Sequence, residues 1–311
     1  LCSHMKGPLF YAKILLFGEY GIIKDSKGLS IPYNFYRGAL KTSNDPCTQD
    51  SHQKLNAFCA HLKTLPETVV SFDWDRLESD LNNNMYFDSS IPQGYGIGSS
   101  GALVASIYDQ YALDKITVLE NLTKEKLQYL KAIFAAMESF FHGKSSGLDP
   151  LNSYLSLPIL INSQDHIEPT GIPSQNPEGK GAVFLLDSGI MGETAPMVSI
   201  FMENMKQEPF RIMMKDQFIN YTDACVDDFL NGNISSLFSN IKQLSNLVLH
   251  NFEPMIPKEF RAIWKQGIET NDYYLKLCGS GGGGYILGFA QDFEKAQKAL
   301  QGHRLEVVYN F

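Results

Sequence analysis

The segment Gly94-Tyr95-Gly96-Ile97-Gly98-Ser99-Ser100-Gly101-Ala102 runs directly into the apolar-periodic stretch Leu103 to Leu113. A glycine loop that opens a helix leaves backbone N–H groups unpaired and aims them, with the positive end of the helix dipole, at whatever binds there. Such a loop suits an anion, and most naturally the phosphates of a nucleotide. It is not a Walker loop, because Ala102 stands where that loop carries Lys. Acids elsewhere in the chain could serve the same chemistry. Glu138 follows Leu130 and Phe134 at helical intervals, so its carboxylate points along an apolar stripe. There it needs a cation or several donors, unless it snorkels at the border of the stripe. Eleven residues later, Asp149 ends the glycine- and serine-bearing run His142-Gly143-Lys144-Ser145-Ser146-Gly147-Leu148-Asp149. Standing before Pro150, it reads either as a turn-forming residue or as a placed acid.

Two further places are ambiguous in the same way. Lys13 is isolated in the apolar stretch Tyr11 to Phe17, so it lies on an exposed edge or meets a counter-charge, and Asp149 is the partner that would matter. Glu19, in the turn that follows, is either solvated or functional. A second glycine run, Lys276-Leu277-Cys278-Gly279-Ser280-Gly281-Gly282-Gly283-Gly284-Tyr285, passes from one apolar segment to another. Consecutive glycines cost backbone entropy, which is tolerated where a ligand or another backbone approaches closely. A flexible hairpin is the alternative.

The elements that must position these residues follow from periodicity. Leu9 to Phe17 reads as a buried strand, with a turn at Asp25 to Gly28, a strand near Ile31 to Leu40, and a short one at Met85 to Phe87. Together these suggest a hairpin-rich mixed sheet. Thr48 to Leu65 and Lys124 to Phe141 carry helical spacing, the latter through Leu127, Leu130, Ile133, Phe134, Met137 and Phe141. Pro169 to Gly181 is the predicted linker, and a strand at Ala182 to Leu186 opens the second domain. Helices are expected at Gln217 to Leu230, Ile234 to His250 and Lys258 to Glu269, and strands at Leu275 to Cys278, Tyr285 to Phe289 and Leu305 to Val308. The expected division is 5–180 and 181–311. Leu1 to His4 reads as a cloning remnant, with Met5 the native start.

Composition narrows the classes of function. A chain of 311 residues with 44% hydrophobic content can bury one large core or two ordinary ones. A net charge of -8 without any long basic run would repel a nucleic-acid backbone. No apolar run approaches the ~20 residues that span a bilayer, so the expectation is a soluble, cytoplasmic protein that binds neither nucleic acid nor membrane. The five cysteines are odd in number and form no Cys-x-x-Cys pair, which fits a reducing compartment and argues against zinc.

Three motifs, taken in order, resemble those of the GHMP small-molecule kinases. Lys13 to Tyr20 resembles the first, Pro92 to Ala102 the phosphate loop, and Lys276 to Gly284 the third; the interval from Glu138 to Asp149 is that of mevalonate kinases. The resemblance implies an α+β, two-domain fold. An N-terminal mixed-sheet α/β domain would carry the phosphate loop, a C-terminal ferredoxin-like α/β sandwich would carry the third motif, and the cleft between them would be the active site. It implies ATP on Gly94, Gly96, Gly98, Ser99, Ser100 and Gly101, and Mg²⁺ on Ser100 and Glu138. Asp149 becomes the base or orienting group and Lys13 its cation. Glu19, Tyr20, Thr194, Gly279, Gly281 and Gly282 fall on the acceptor side. The implied reaction is phosphorylation of the primary hydroxyl of mevalonate for isoprenoid synthesis, closest to mevalonate kinase. Tyr20 stands where mevalonate kinases carry His and phosphomevalonate kinases commonly carry Tyr, so phosphomevalonate or another small hydroxy compound is the alternative acceptor. A non-catalytic ligand-binding member is a third reading, and a homodimer stays open.

Overall fold

The computed structural model describes residues 8–118 and 121–311. Leu1 to His4, Cys2 among them, and the expected start at Met5 lie outside the described residues. The chain opens with strands β1 (Phe10–Phe17) and β2 (Gly28–Thr42), followed by helices α1 (Gln49–Leu62) and α2 (Trp74–Asn82) and strand β3 (Met85–Ser89). Helices α3 (Ser99–Tyr111), α4 (Lys124–His142) and α5 (Leu148–Leu155) come next, then strands β4 (Ile159–Ser163), β5 (His166–Pro169) and β6 (Ala182–Asp187). Five helices follow, α6 (Thr194–Asn204), α7 (Glu208–Met213), α8 (Ile219–Asn231), α9 (Ile234–Asn251) and α10 (Arg261–Thr270). Strands β7 (Tyr274–Leu277) and β8 (Tyr285–Ala290), helix α11 (Phe293–Ala299) and strand β9 (Leu305–Asn310) complete the chain.

The chain folds into two compact units. Of the described residues, one takes in 8–13, 32–92, 98–118 and 121–157; the other holds 14–31, 93–97 and 158–311. Strands β1 and β2 therefore each contribute residues to both.

In the first unit, residues 38–42 of β2 pair antiparallel with β3, and α1 packs on β3 and α4. Helix α3 is buried without interruption from Gly101 to Tyr108, as expected of a helix enclosed by neighbours rather than laid on a surface. Those neighbours are α2, α4 and α5. The rings of Tyr108, Phe134 and Tyr154 tie α3, α4 and α5 together edge to face, with centroids 5.0 to 5.6 Å apart.

In the second unit, residues 28–30 of β2 pair with β4, and β4 pairs with β5, both antiparallel. A four-stranded sheet runs in the order β7-β8-β6-β9, all pairs antiparallel. With α11 between β8 and β9, and helices between β6 and β7, this is the strand order of the ferredoxin-like β-α-β-β-α-β unit. Ala182-Val183-Phe184-Leu185-Leu186 of β6 is buried at every residue, so both faces of the strand are covered and the run is apolar without alternation.

Asp149 and Pro150 depart from the loop reading. They occupy the first turn of α5, where a missing proline N–H breaks no helical bond and a carboxylate meets the positive end of the dipole. Thr194 is likewise the first residue of a helix, α6.

Candidate active site

The interval between Glu138 and Asp149 is set by a chain reversal. Helix α4 begins at a Thr123 cap, whose hydroxyl accepts from the Lys126 N–H, and ends at Gly143, which turns the chain with a φ of +71°. The loop then doubles back until Gly147 lies against the middle of α4. A Cβ at Gly147 would stand 2.1 Å from the Lys131 carbonyl oxygen, and its φ is +74°. Only glycine permits that approach. The return brings Ser145 and Asp149 alongside the last turns of α4.

Glu138 is buried, 3% exposed, and both its oxygens are engaged. Ser100 Oγ donates to Oε1 at 2.9 Å and Ser145 Oγ donates to Oε2 at 2.5 Å. Ser145 in turn accepts the Gly147 N–H at 3.0 Å. Burial raises the carboxyl pKa to about 7, Asp149 pushes it the same way, and the two hydroxyls and Lys13 pull against them. Ser100 also faces His142 Nε2 at 3.0 Å. Burial holds the His142 imidazole below its ordinary pKa, against the pull of Asp149.

Lys13 is the buried member of an ion pair, its side chain 5% exposed against 38% for Asp149, with Nζ 2.8 Å from Oδ1. The exposed reading of Lys13 is thereby excluded. Gly98, at the N-cap of α3 with a φ of +83°, leaves room for the lysine stem: an added Cβ would lie 3.0 Å from Lys13 Cγ. Gly101 does the same for α5, since its Cβ would stand 2.7 Å from the Asp149 carbonyl carbon. Gly98, Ser100 and Gly101, Lys13, Glu138 and Asp149 are thus gathered at one end of α3 in the first unit, with Ser99 in the same helical turn.

Gly94 and Gly96 belong to the second unit, where the third motif packs on them. A Cβ at Gly96 would lie 2.5 Å from the Cys278 carbonyl oxygen, and one at Gly284 2.5 Å from Tyr95 Cα. The Gly192 N–H donates to the Gly94 carbonyl at 2.8 Å. Residues 279–284 are therefore packed against backbone, not a free hairpin. Glu19 is not solvated either: Lys276 Nζ meets its Oε1 at 2.6 Å, with side-chain exposures of 1% and 5%. Burial raises the Glu19 pKa, opposed by Lys276. Tyr20 adopts a φ of +60°, sits against Phe201 and Phe252, and donates its hydroxyl to the Ser280 carbonyl at 2.6 Å. Ser280 Oγ lies 3.4 Å from Thr194 Oγ1.

Residues 68–156 match the profile of the GHMP kinases N terminal domain. That segment is similar to GHMP kinase N-terminal domains. It contains Ser100, Glu138 and Asp149. The whole chain has the GHMP kinase fold. It is similar to L. major mevalonate kinase, solved with R-mevalonate, with a TM-score of 0.64 at 18% identity over 99% of both chains. It is also similar to Streptococcus pneumoniae phosphomevalonate kinase, solved with phosphomevalonate and AMPPNP, with a TM-score of 0.62 at 12% identity over 97% of this chain and 99% of that one. Lactococcus lactis galactokinase, solved with galactose, gives 0.60 at 9% identity over 97% and 92%. Among curated proteins no sequence matches the chain.

The letters Gly96-Ile97-Gly98-Ser99-Ser100-Gly101 have the spacing of the dinucleotide fingerprint, but in the GHMP kinase fold they do not follow a parallel strand. The preceding strand, β3, is antiparallel to β2 and ends at Ser89, so the βαβ context that gives that fingerprint its meaning is missing. Three engaged residues escaped the sequence reading: Ser145 and His142 in the first unit and Lys276 in the second. His142 lies one turn beyond Glu138 on the same helix, and Lys276 interrupts an apolar strand just as Lys13 does, so both had a signal.

Among the described residues no group of three or more His, Cys, Asp or Glu side chains could hold a metal ion by itself. The pair formed by Ser100 and Glu138 nonetheless fits Mg²⁺. Its donors are hard oxygens, and this cation takes few ligands from protein and the rest from phosphate and water. No helix among the described residues is long and apolar enough to cross a membrane.

Proposed function

We propose that the chain transfers the γ-phosphoryl group of ATP to the primary hydroxyl of a small hydroxy acid, mevalonate being the first choice. The ion pair of Lys13 and Asp149, held at 2.8 Å beside a buried glutamate and the open end of α3, carries this reading. Phosphoryl transfer demands little covalent work of a protein and much positioning and charge neutralisation. Asp149 accepts the hydrogen of the acceptor hydroxyl and orients its oxygen. Lys13 pairs with that carboxylate and offsets charge on the moving phosphoryl group. Gly94, Gly96, Gly98, Ser99, Ser100 and Gly101 cradle the phosphates through backbone N–H groups and the dipole of α3. Ser100 and Glu138 would hold Mg²⁺, which when bound neutralises phosphate charge. Thr194, Gly279, Gly281 and Gly282 serve the acceptor side, and Glu19 and Tyr20 support them by holding Lys276 and Ser280. In this reading residues 5–180 bind ATP and Mg²⁺, residues 181–311 supply the third motif, and the work is done in the cytoplasm for isoprenoid synthesis.

Tyr20 favours a second reading, phosphomevalonate kinase. A coupled assay of ATP turnover on mevalonate, phosphomevalonate, galactose and homoserine separates them. Turnover on mevalonate supports the first choice, and turnover on phosphomevalonate alone overturns it. A thermal shift with some other ligand and none with ATP and Mg²⁺ would favour a non-catalytic binding protein. Asp149→Asn should keep ATP affinity and lose turnover by several orders of magnitude; undiminished turnover would remove Asp149 from the mechanism.

A further inference from the structure

Two hydroxyls donate to the two oxygens of Glu138, but they are not equivalent. Ser145 Oγ accepts the Gly147 N–H, so its own hydrogen is committed to Glu138 Oε2. Ser100 Oγ has one hydrogen and two acceptors in reach, Glu138 Oε1 at 2.9 Å and His142 Nε2 at 3.0 Å. A hydroxyl has a single donor and two lone pairs, whereas an unprotonated imidazole nitrogen is a pure acceptor. While the Ser100 hydrogen points at Glu138, it occupies the line between two oxygens that one cation would have to share, and it takes up a lone pair of Oε1. Turned to His142, it leaves both oxygens presenting lone pairs to the same point.

We propose that His142 is a positioning residue for the cation site: its Nε2 accepts the Ser100 hydroxyl hydrogen and thereby converts Ser100 and Glu138 from a hydrogen-bonded pair into a pair of oxygen ligands. This rests on the assignment of Ser100 and Glu138 as cation ligands made above. The step is a rotation about the serine Cβ–Oγ bond, with no bond to a heavy atom made or broken. It requires the imidazole to carry its proton on Nδ1. His142 is one helical turn past Glu138, at the C-terminus of α4, so the residue that supplies the carboxylate and the residue that clears the hydrogen from it are carried on one rigid element.

Mn²⁺ affinity of the protein saturated with AMPPNP, followed by the EPR signal of free Mn²⁺, tests the inference without turnover. Outer residues that orient a metal ligand typically change metal affinity by about 10- to 100-fold. His142→Ala should weaken Mn²⁺ binding by at least about tenfold while AMPPNP affinity in EDTA stays unchanged, and His142→Gln, whose amide oxygen can accept the same hydrogen, should recover most of the loss. Equal Mn²⁺ affinity in His142→Ala and the parent protein overturns the proposal. Glu138→Gln and Ser100→Ala, measured alongside, tell its failure from that of the underlying reading. If both lose Mn²⁺ and His142→Ala does not, only the role of His142 falls; if neither loses Mn²⁺, the cation site falls and the role of His142 with it.

Discussion

Replacing Glu138 by Gln should stabilise the nucleotide-free protein at neutral pH, although it removes a residue of the proposed active site. The carboxyl pKa rises from 4.5 to about 7 on folding, chiefly through burial and secondly through Asp149. That rise corresponds to about 3 kcal/mol, at about 1.4 kcal/mol for each tenfold change in proton affinity. The sign follows from where the proton binds better. The folded state holds it more tightly than the unfolded state, so this group favours folding below pH ~4.5 and that contribution is lost as pH rises to ~7. Glutamine does not titrate. Urea denaturation in EDTA, repeated from pH 5 to pH 8, should therefore show the parent protein losing about 2 to 3 kcal/mol more than Glu138→Gln across that range. Asp149→Asn, which removes the second cause of the shift, should narrow the gap. Parallel stability curves for the parent protein and Glu138→Gln would refute the reasoning, because they would mean that the carboxyl is hydrated or already paired when no ligand is bound.

Gly147→Ala should lower stability by about 2 to 4 kcal/mol, since a methyl group would meet the Lys131 carbonyl at 2.1 Å in a left-handed backbone; thermal denaturation reads the loss, and Tm within a degree of the parent would contradict the packing. Turnover should fall with it, because the loop that delivers Asp149 must move. Lys276→Met should cost about 3 to 5 kcal/mol at pH 8 by leaving Glu19 buried without its cation. That penalty should shrink toward pH 5, because the Glu19 pKa is already raised and a neutral acid tolerates burial. A penalty independent of pH would show that the lysine matters through its packing alone.

Much of the first unit was legible because its candidate site residues contradict their surroundings. A lysine inside an apolar strand and a glutamate on an apolar helical stripe must be resolved by something, and each is resolved at the N-terminal end of α3. Lys276 offered the same contradiction in Leu275-Lys276-Leu277, but the strand is four residues long and the glycines beside it dominate the local pattern. Helix α5 was hidden by Pro150 and Gly147, which signal a loop unless the chain reversal against α4 is known. Helix α2, nine residues with a single buried side chain, carries too short a stripe to register. No composition break marks where β1 and β2 pass from one unit to the other, at residues 13/14 and 31/32. Which half of a strand packs with which helices is decided by partners far away in the chain.

The contact between Tyr20 and Ser280 joins residues 260 apart in the chain, and the pair of Glu19 and Lys276 lies beside it. During synthesis the ribosome delivers the acid and the ring long before the base and the loop that complete them. Glu19 and Tyr20 must therefore wait for these partners until nearly the last tenth of the polypeptide has emerged. A chain cut short before residue 276 carries Glu19 with no lysine at its side.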